Sequence, residues 1–225
     1  MQSVVEDALS TVADEPVEVT CAGRTDAGVH ALGQVVHFDT AVDRASRGWV
    51  LGANSNLPDD VNATWAQTVD QEFHARFSAT SRSYRYLILN RLVRSALQRH
   101  RAWWVYQPLN EKDMRQAATS LVGEHDFSAF RAAGCQASTP VRDIREINIV
   151  RDGDWITIDV TANAFLQHMV RNIAGLLVAI GQGDEEPGWA EEVLESCDRT
   201  KGGMAAPAHG LTLTKVQYPS DFDVP

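Results

Sequence analysis

Val4, Val5, Ala8, Leu9 and Val12 recur at steps of one, three and four, which gives a helix one apolar face. The pattern then tightens to the alternation of a strand over residues 16–21 (PVEVTC), and again over 33–40 (GQVVHFDT). A helix is expected over 44–56 (RASRGWVLGANSN), and after the turn residues of LPDDV a third strand over 62–69 (NATWAQTV). The first part of the chain reads helix, strand, strand, helix, strand.

The second part opens on a strand at 83–89 (SYRYLIL), followed by an arginine-rich loop and a helix over 110–123. Residues 145–150 (REINIV) and 155–160 (WITIDV) form two strands around Arg151-Asp152-Gly153-Asp154, where Asp-Gly favours a hairpin turn. Helices over 166–181 and 188–197 and a closing strand over 210–218 complete the pattern. Apart from the additional helix the order is β-α-β-β-α-β, the split ferredoxin-like unit, and the first part is the same unit without its first strand. The expected fold class is α+β with two ferredoxin-like subdomains, residues 1–80 and 81–225.

Composition narrows the class. With 225 residues, 44% hydrophobic and 22% charged, the chain has the make-up of a folded globular protein and can bury one sizeable core or two small ones. Its three cysteines, Cys21, Cys135 and Cys197, are odd in number and show no C-x-x-C spacing, which argues against a disulfide framework or a zinc site. Neither a basic-then-apolar leader nor a run of membrane-spanning length is present, so the sequence reads as cytoplasmic.

The formal net charge of −10 argues against a nucleic-acid partner only if the charge is evenly spread. It is not. Between Phe73 and Asn110 there is no Asp or Glu, and there are seven arginines: Arg76, Arg82, Arg85, Arg91, Arg94, Arg99 and Arg101. Arginine is the side chain whose planar fork grips phosphate and stacks on bases. An acidic body with a basic stripe suits RNA binding; an arginine-rich solvated face is the alternative.

Between the first two expected strands lies CAGRTDAGVHA, Cys21 to Ala31, with one carboxylate, Asp26, among small residues. Asp in such a turn often bonds only its own backbone. Its company points further. GRTDAGVHA (23–31), FHARFSATSRSYRY (73–86), DFSAFR (126–131), NAFLQHMVRNIAG (163–175) and GLTL (210–213) resemble, in order and spacing, the TruA-type tRNA pseudouridine synthases, over nearly the whole chain. The resemblance implies conversion of uridine to pseudouridine at positions 38, 39 and 40 of the tRNA anticodon arm. It implies a homodimer acting on RNA, not DNA, with no cofactor, no metal and no membrane. It also implies that the two subdomains share a continuous antiparallel sheet, with the active cleft between them.

Carried over by position, Asp26 matches the family's catalytic aspartate, Arg171 the arginine that pairs with it, and Tyr84 the active-site tyrosine. Isomerisation must break the bond from C1′ to N1 and join C1′ to C5, and a carboxylate can attack and later leave. An ionised carboxylate in a cleft needs a positive partner. A phenol can stack on the uracil and its hydroxyl can take the C5 proton. If 83–89 is a strand, Tyr84, Tyr86 and Ile88 share a face, with Tyr84 at the cleft and Tyr86 in the core.

Arg24 matches the arginine that holds the target nucleotide out of its stack, and His30 matches by motif position. Arg76, Arg82 and Arg85 would track the tRNA backbone and make binding salt-sensitive. Relatives begin with a further strand carrying a Y-D-G type motif, whereas Met1 here falls at the following helix. Two explanations stay open: a start lying upstream, or a shortened enzyme. Two other classes are left by the residues, a tRNA-binding module without activity and a small-molecule hydrolase using Asp26 as general base. The hydrolase lacks a second acidic partner in a recognisable motif and a phosphate-binding glycine loop.

Overall fold

The computed structural model describes all 225 residues. The protein is α+β, with a mixed seven-stranded sheet and a separate two-stranded sheet. Its helices are α1 (Gln2–Ala13), α2 (Ser46–Asn56), α3 (Glu111–Thr119), α4 (Met169–Gln182) and α5 (Trp189–Ser196). Its strands are β1 (Thr20–Cys21), β2 (His30–Ala31), β3 (Val36–His37), β4 (Ser81–Asn90), β5 (Trp103–Val105), β6 (Gly123–Asp126), β7 (Val141–Asp152), β8 (Trp155–Ala162) and β9 (Leu211–Gln217). The chain divides into two units, one of residues 1–24, 34–80 and 218–225, the other of residues 25–33 and 81–217.

In the first unit α1 and α2 pack on each other through Leu9, Val12, Trp49 and Ala53, with Val17 and Val19 closing the core. Phe38 meets Trp49 edge to face at 5.1 Å. The close approach of the helices depends on Gly52, where a Cβ would come within 2.8 Å of a Val12 methyl. Only β1 and β3 pair, over two residues each. The strand expected over 62–69 does not form. Its alternation of apolar positions fits a strand, but its backbone is met by a side chain instead of a ladder: Ala63 N donates to Asn54 Oδ1 at 2.7 Å, and Asn54 Nδ2 donates to Ala63 O at 2.8 Å. Residues 16–19, expected as strand, likewise lie outside any ladder, because α1 supplies the partners. Val17 N donates to Ser10 Oγ, Val19 N to Glu6 Oε1, and Gln2 Nε2 to Val19 O. Glu6 is held below the usual carboxylate range by the Gln2 amide first and the Val19 N–H second.

The second unit is built on ladders. Its sheet runs β2-β9-β4-β8-β7-β6, with β5 beside β4. The pairs β9-β4, β4-β8, β8-β7 and β7-β6 are antiparallel, whereas β2-β9 and β4-β5 are parallel, so the sheet is mixed where a uniformly antiparallel one was expected. The difference comes from β2 and β5, which the sequence pattern did not reveal: two or three residues are too few for alternation to show. On β4, Tyr84, Tyr86 and Ile88 are buried on one face, and Ile156, Ile158 and Val160 of β8 continue it. The same face is covered by α4, whose apolar side is almost entirely buried, with α3 beside it. No helix of the chain is long and apolar enough to cross a membrane.

Candidate active site

The Asp26 turn is stitched to the second unit by its flanks. Val29 N donates to Asp26 O at 3.0 Å, closing a turn whose third residue, Gly28, has φ 84°, a value that suits glycine. Beyond the turn His30 and Ala31 pair with Thr212 and Leu213, and Leu32 N and Gly33 N both donate to Leu213 O. Gly33 is required there, since a Cβ would sit 2.5 Å from Thr214 O. Thr214 is itself the extra residue of a bulge: Ser83 faces Lys215 while Tyr84 faces Leu213. Bulges re-aim neighbouring side chains, and this one lies beside Tyr84.

Arg171, in the first turn of α4, is held at two points. Its Nε donates to Ala206 O at 2.8 Å and its Nη1 to Asp26 Oδ2 at 3.0 Å. The acceptor segment is clamped in turn. Ala206 N donates to Arg171 O, Tyr86 OH donates to Pro207 O, and Gly175 lies so close that a Cβ would overlap Met204 O. Gly210 does the same work on the other side, packed against the Tyr86 ring. Tyr86 is fully buried, and burial pushes its phenol well above its usual range, with nearby Arg171 opposing. The core position expected for Tyr86 is therefore its position, and it serves as a strut for the segment that fixes Arg171.

The ion pair sits at the edge of solvent, with 17% of the Arg171 side chain and 28% of the Asp26 side chain exposed. It is a charge-assisted hydrogen bond between residues 145 apart in sequence. A second group, His168 Nε2, lies 3.2 Å from Asp26 Oδ2. Tyr84 is buried, with its ring edge to face on Phe165 at 5.1 Å. Sequence reasoning singled out neither His168 nor Phe165. His168 stands three residues before Arg171, but it precedes α4 with a left-handed backbone, so the spacing of a helix face does not announce the contact.

The other expected residues are dispersed. Arg24 and Arg76 belong to the first unit and are exposed, with Arg76 over the Phe77 ring at 5.5 Å. Arg82 is buried, and its Nη1 donates to Asn163 O at 2.9 Å. Arg85 lies on the opposite face of β4 from Tyr84 and forms a two-point pair with Asp159, at 2.8 and 3.0 Å, which raises its pKa. Those two guanidinium groups have protein acceptors here, because strand alternation sends one inward and one to a cross-strand aspartate. The His30 ring nitrogen Nε2 bonds His100 O at 2.6 Å.

A carboxylate paired with a guanidinium at the edge of solvent, on an α+β scaffold, is a site suited to nucleophilic or acid–base chemistry. The family model for tRNA pseudouridine synthases matches residues 1–78 and 117–219, which include Asp26, Arg171 and β9. Over all 225 residues the chain is 56% identical to tRNA pseudouridine synthase A of Nitrosococcus oceani, covering 87% of that protein. It is 55% identical to the enzyme of the same name from Coxiella burnetii, covering 86%, and 52% identical to that of Pseudomonas aeruginosa, covering 79%. The chain belongs to the TruA family of tRNA pseudouridine synthases, which are isomerases.

Proposed function

We infer that the chain converts uridine to pseudouridine at positions 38, 39 and 40 in the anticodon arm of tRNA, in the cytoplasm, as a homodimer and without a cofactor, with Asp26 as the nucleophile. The observation that carries this reading is the Arg171 contact to Asp26 Oδ2 at 3.0 Å, made by two motifs 145 residues apart. In the reaction the C1′–N1 bond breaks, a C1′–C5 bond forms, and the C5 hydrogen leaves as a proton while N1 gains one. Asp26 forms the transient covalent bond and is later expelled. Arg171 supports its charge, and the Tyr84 hydroxyl receives the C5 proton. Arg24 holds the target nucleotide out of its stack, offsetting an extrusion cost of about a few kcal/mol. Arg76 and His30 face the RNA, and Arg82 and Arg85 join them once their protein acceptors are exchanged for phosphate.

On this reading the fold is two ferredoxin-like subdomains, residues 1–80 and 81–225. The strand order β9-β4-β8-β7 in the second unit supports that description, being the order in which a β-α-β-β-α-β unit lays its four strands. An inactive tRNA-binding module would need Asp26 displaced, and the docking of its loop on β9 argues against displacement. The test is incubation of the protein with tRNA transcripts carrying 5-tritiated uridine, followed by position mapping. Tritium release with pseudouridine in the anticodon arm supports the reading. Bound tRNA with no release overturns it.

A further inference from the structure

Four non-glycine residues have positive φ: Asp14, His168, Cys197 and Asp223. Three of them follow the last turn of a helix, where a left-handed residue ordinarily closes the ladder. His168 alone stands at a helix start, as the residue before α4, with φ 63° and ψ 0°. An extended backbone is the usual choice there, with a side chain that accepts from the first free N–H groups. His168 makes no such cap. Its imidazole Nε2 instead lies 3.2 Å from Asp26 Oδ2. Backbone strain of this kind persists where surroundings over-determine it, and they do. Ala132 N donates to Gln167 O, Met169 N to Leu166 O, and Asn172 N to His168 O.

The two nitrogens nearest Asp26 converge on one oxygen. Arg171 Nη1 and His168 Nε2 lie 3.0 and 3.2 Å from Oδ2, from two points one helical turn apart. Two contacts on Oδ2 restrain the carboxylate's rotation more than a single guanidinium contact does, and neither engages Oδ1. The positive end of the α4 macrodipole lies on the same side. We propose that His168 is a positioning residue for the isomerisation: its left-handed backbone aims the imidazole at Asp26 Oδ2, so that with Arg171 it orients Oδ1 as the attacking atom. The proposal rests on Asp26 being the nucleophile.

The test separates the ring from the backbone. His168→Gly keeps a residue at ease at φ 63° but removes the donor, whereas His168→Gln keeps an N–H donor where Nε2 stands. Both are compared with the wild type and with Asp26→Ala in single-turnover tritium release from tRNA, with KM and melting temperature measured alongside. The expected result for His168→Gly is a melting temperature at or above that of the wild type, KM within twofold, and kcat lowered about 10- to 100-fold, as a small misplacement of a reacting group produces. His168→Gln recovers most of that loss. Wild-type kcat in His168→Gly overturns the proposal, as does a loss that appears only with unfolding, or one that His168→Gln does not relieve. Activity persisting in Asp26→Ala would instead overturn the nucleophile assignment beneath it.

Discussion

The two units satisfy extended backbone in different ways. In the second, β4 lies between β8 and β9 with its register set at residue after residue, and even the short β2 is placed by two pairs and two further N–H groups on Leu213. In the first, long side chains do the pairing. Asn54 serves Ala63 at both N and O, Gln34 reaches Gly23 at both N and O, and Glu6, Ser10 and Gln2 serve residues 17 and 19. A ladder fixes position cooperatively, whereas an amide side chain fixes one residue at a time. The Asp26 turn lies in sequence between segments of the first unit, yet its structural ties are to the ladder side.

The largest effect expected is at the clamp. Arg171→Lys keeps the charge but cannot serve Ala206 O and Asp26 Oδ2 together from one ammonium, so kcat should fall about 100-fold with tRNA binding retained. A loss of less than about threefold would mean that charge alone suffices. Next is Gly175→Ala, which drives a methyl into the Met204 carbonyl and should lower unfolding free energy by about 2–4 kcal/mol in urea titration. Gly33→Ala, with its Cβ 2.5 Å from Thr214 O, should cost about 1–3 kcal/mol and loosen the docking of the Asp26 turn, seen as faster exchange of the Leu32 amide.

Asn54→Ala sharpens the contrast from the other side. It should cost about 1 kcal/mol and speed amide exchange at Ala63 while β4 amides keep their protection. The smallest effect is a pH dependence. Burial, and then the neighbouring His74, lower the pKa of His37, with Asp39 opposing. Its Nδ1 accepts from Ala75 N at 3.0 Å, which requires that nitrogen to be unprotonated. A histidine whose folded pKa is depressed is stabilising above the unfolded value of about 6.5, and that contribution is lost as pH falls below it. The first unit should therefore weaken between pH 7 and 5, and His37→Asn, whose Oδ1 can accept from Ala75 N at any pH in that range, should flatten the slope.

The same contrast explains what could be read from the chain. Strands β4, β7 and β8 and the helices α1 to α5 announce themselves because their periodic faces are buried on ladders or on one another. Residues 62–69 misled because alternation reports which side chains are buried, not which group answers the backbone, and Asn54 gives no sign of that role in its sequence neighbourhood. The pairing of Asp26 with Arg171 was legible only through motif resemblance, since 145 residues separate them. The contact from His168 depends on a left-handed backbone that nothing about histidine announces, and the engagement of Arg85 by Asp159 depends on a cross-strand register.

Asp26, placed by β9 and α4, is proposed to perform the chemistry while other residues bind the RNA. The most direct test is tRNA affinity and single-turnover tritium release measured together on Asp26→Ala. The expected result is affinity within about threefold of the wild type and release reduced to background. Release that continues at a measurable fraction of the wild-type rate in a protein that binds tRNA normally would contradict it.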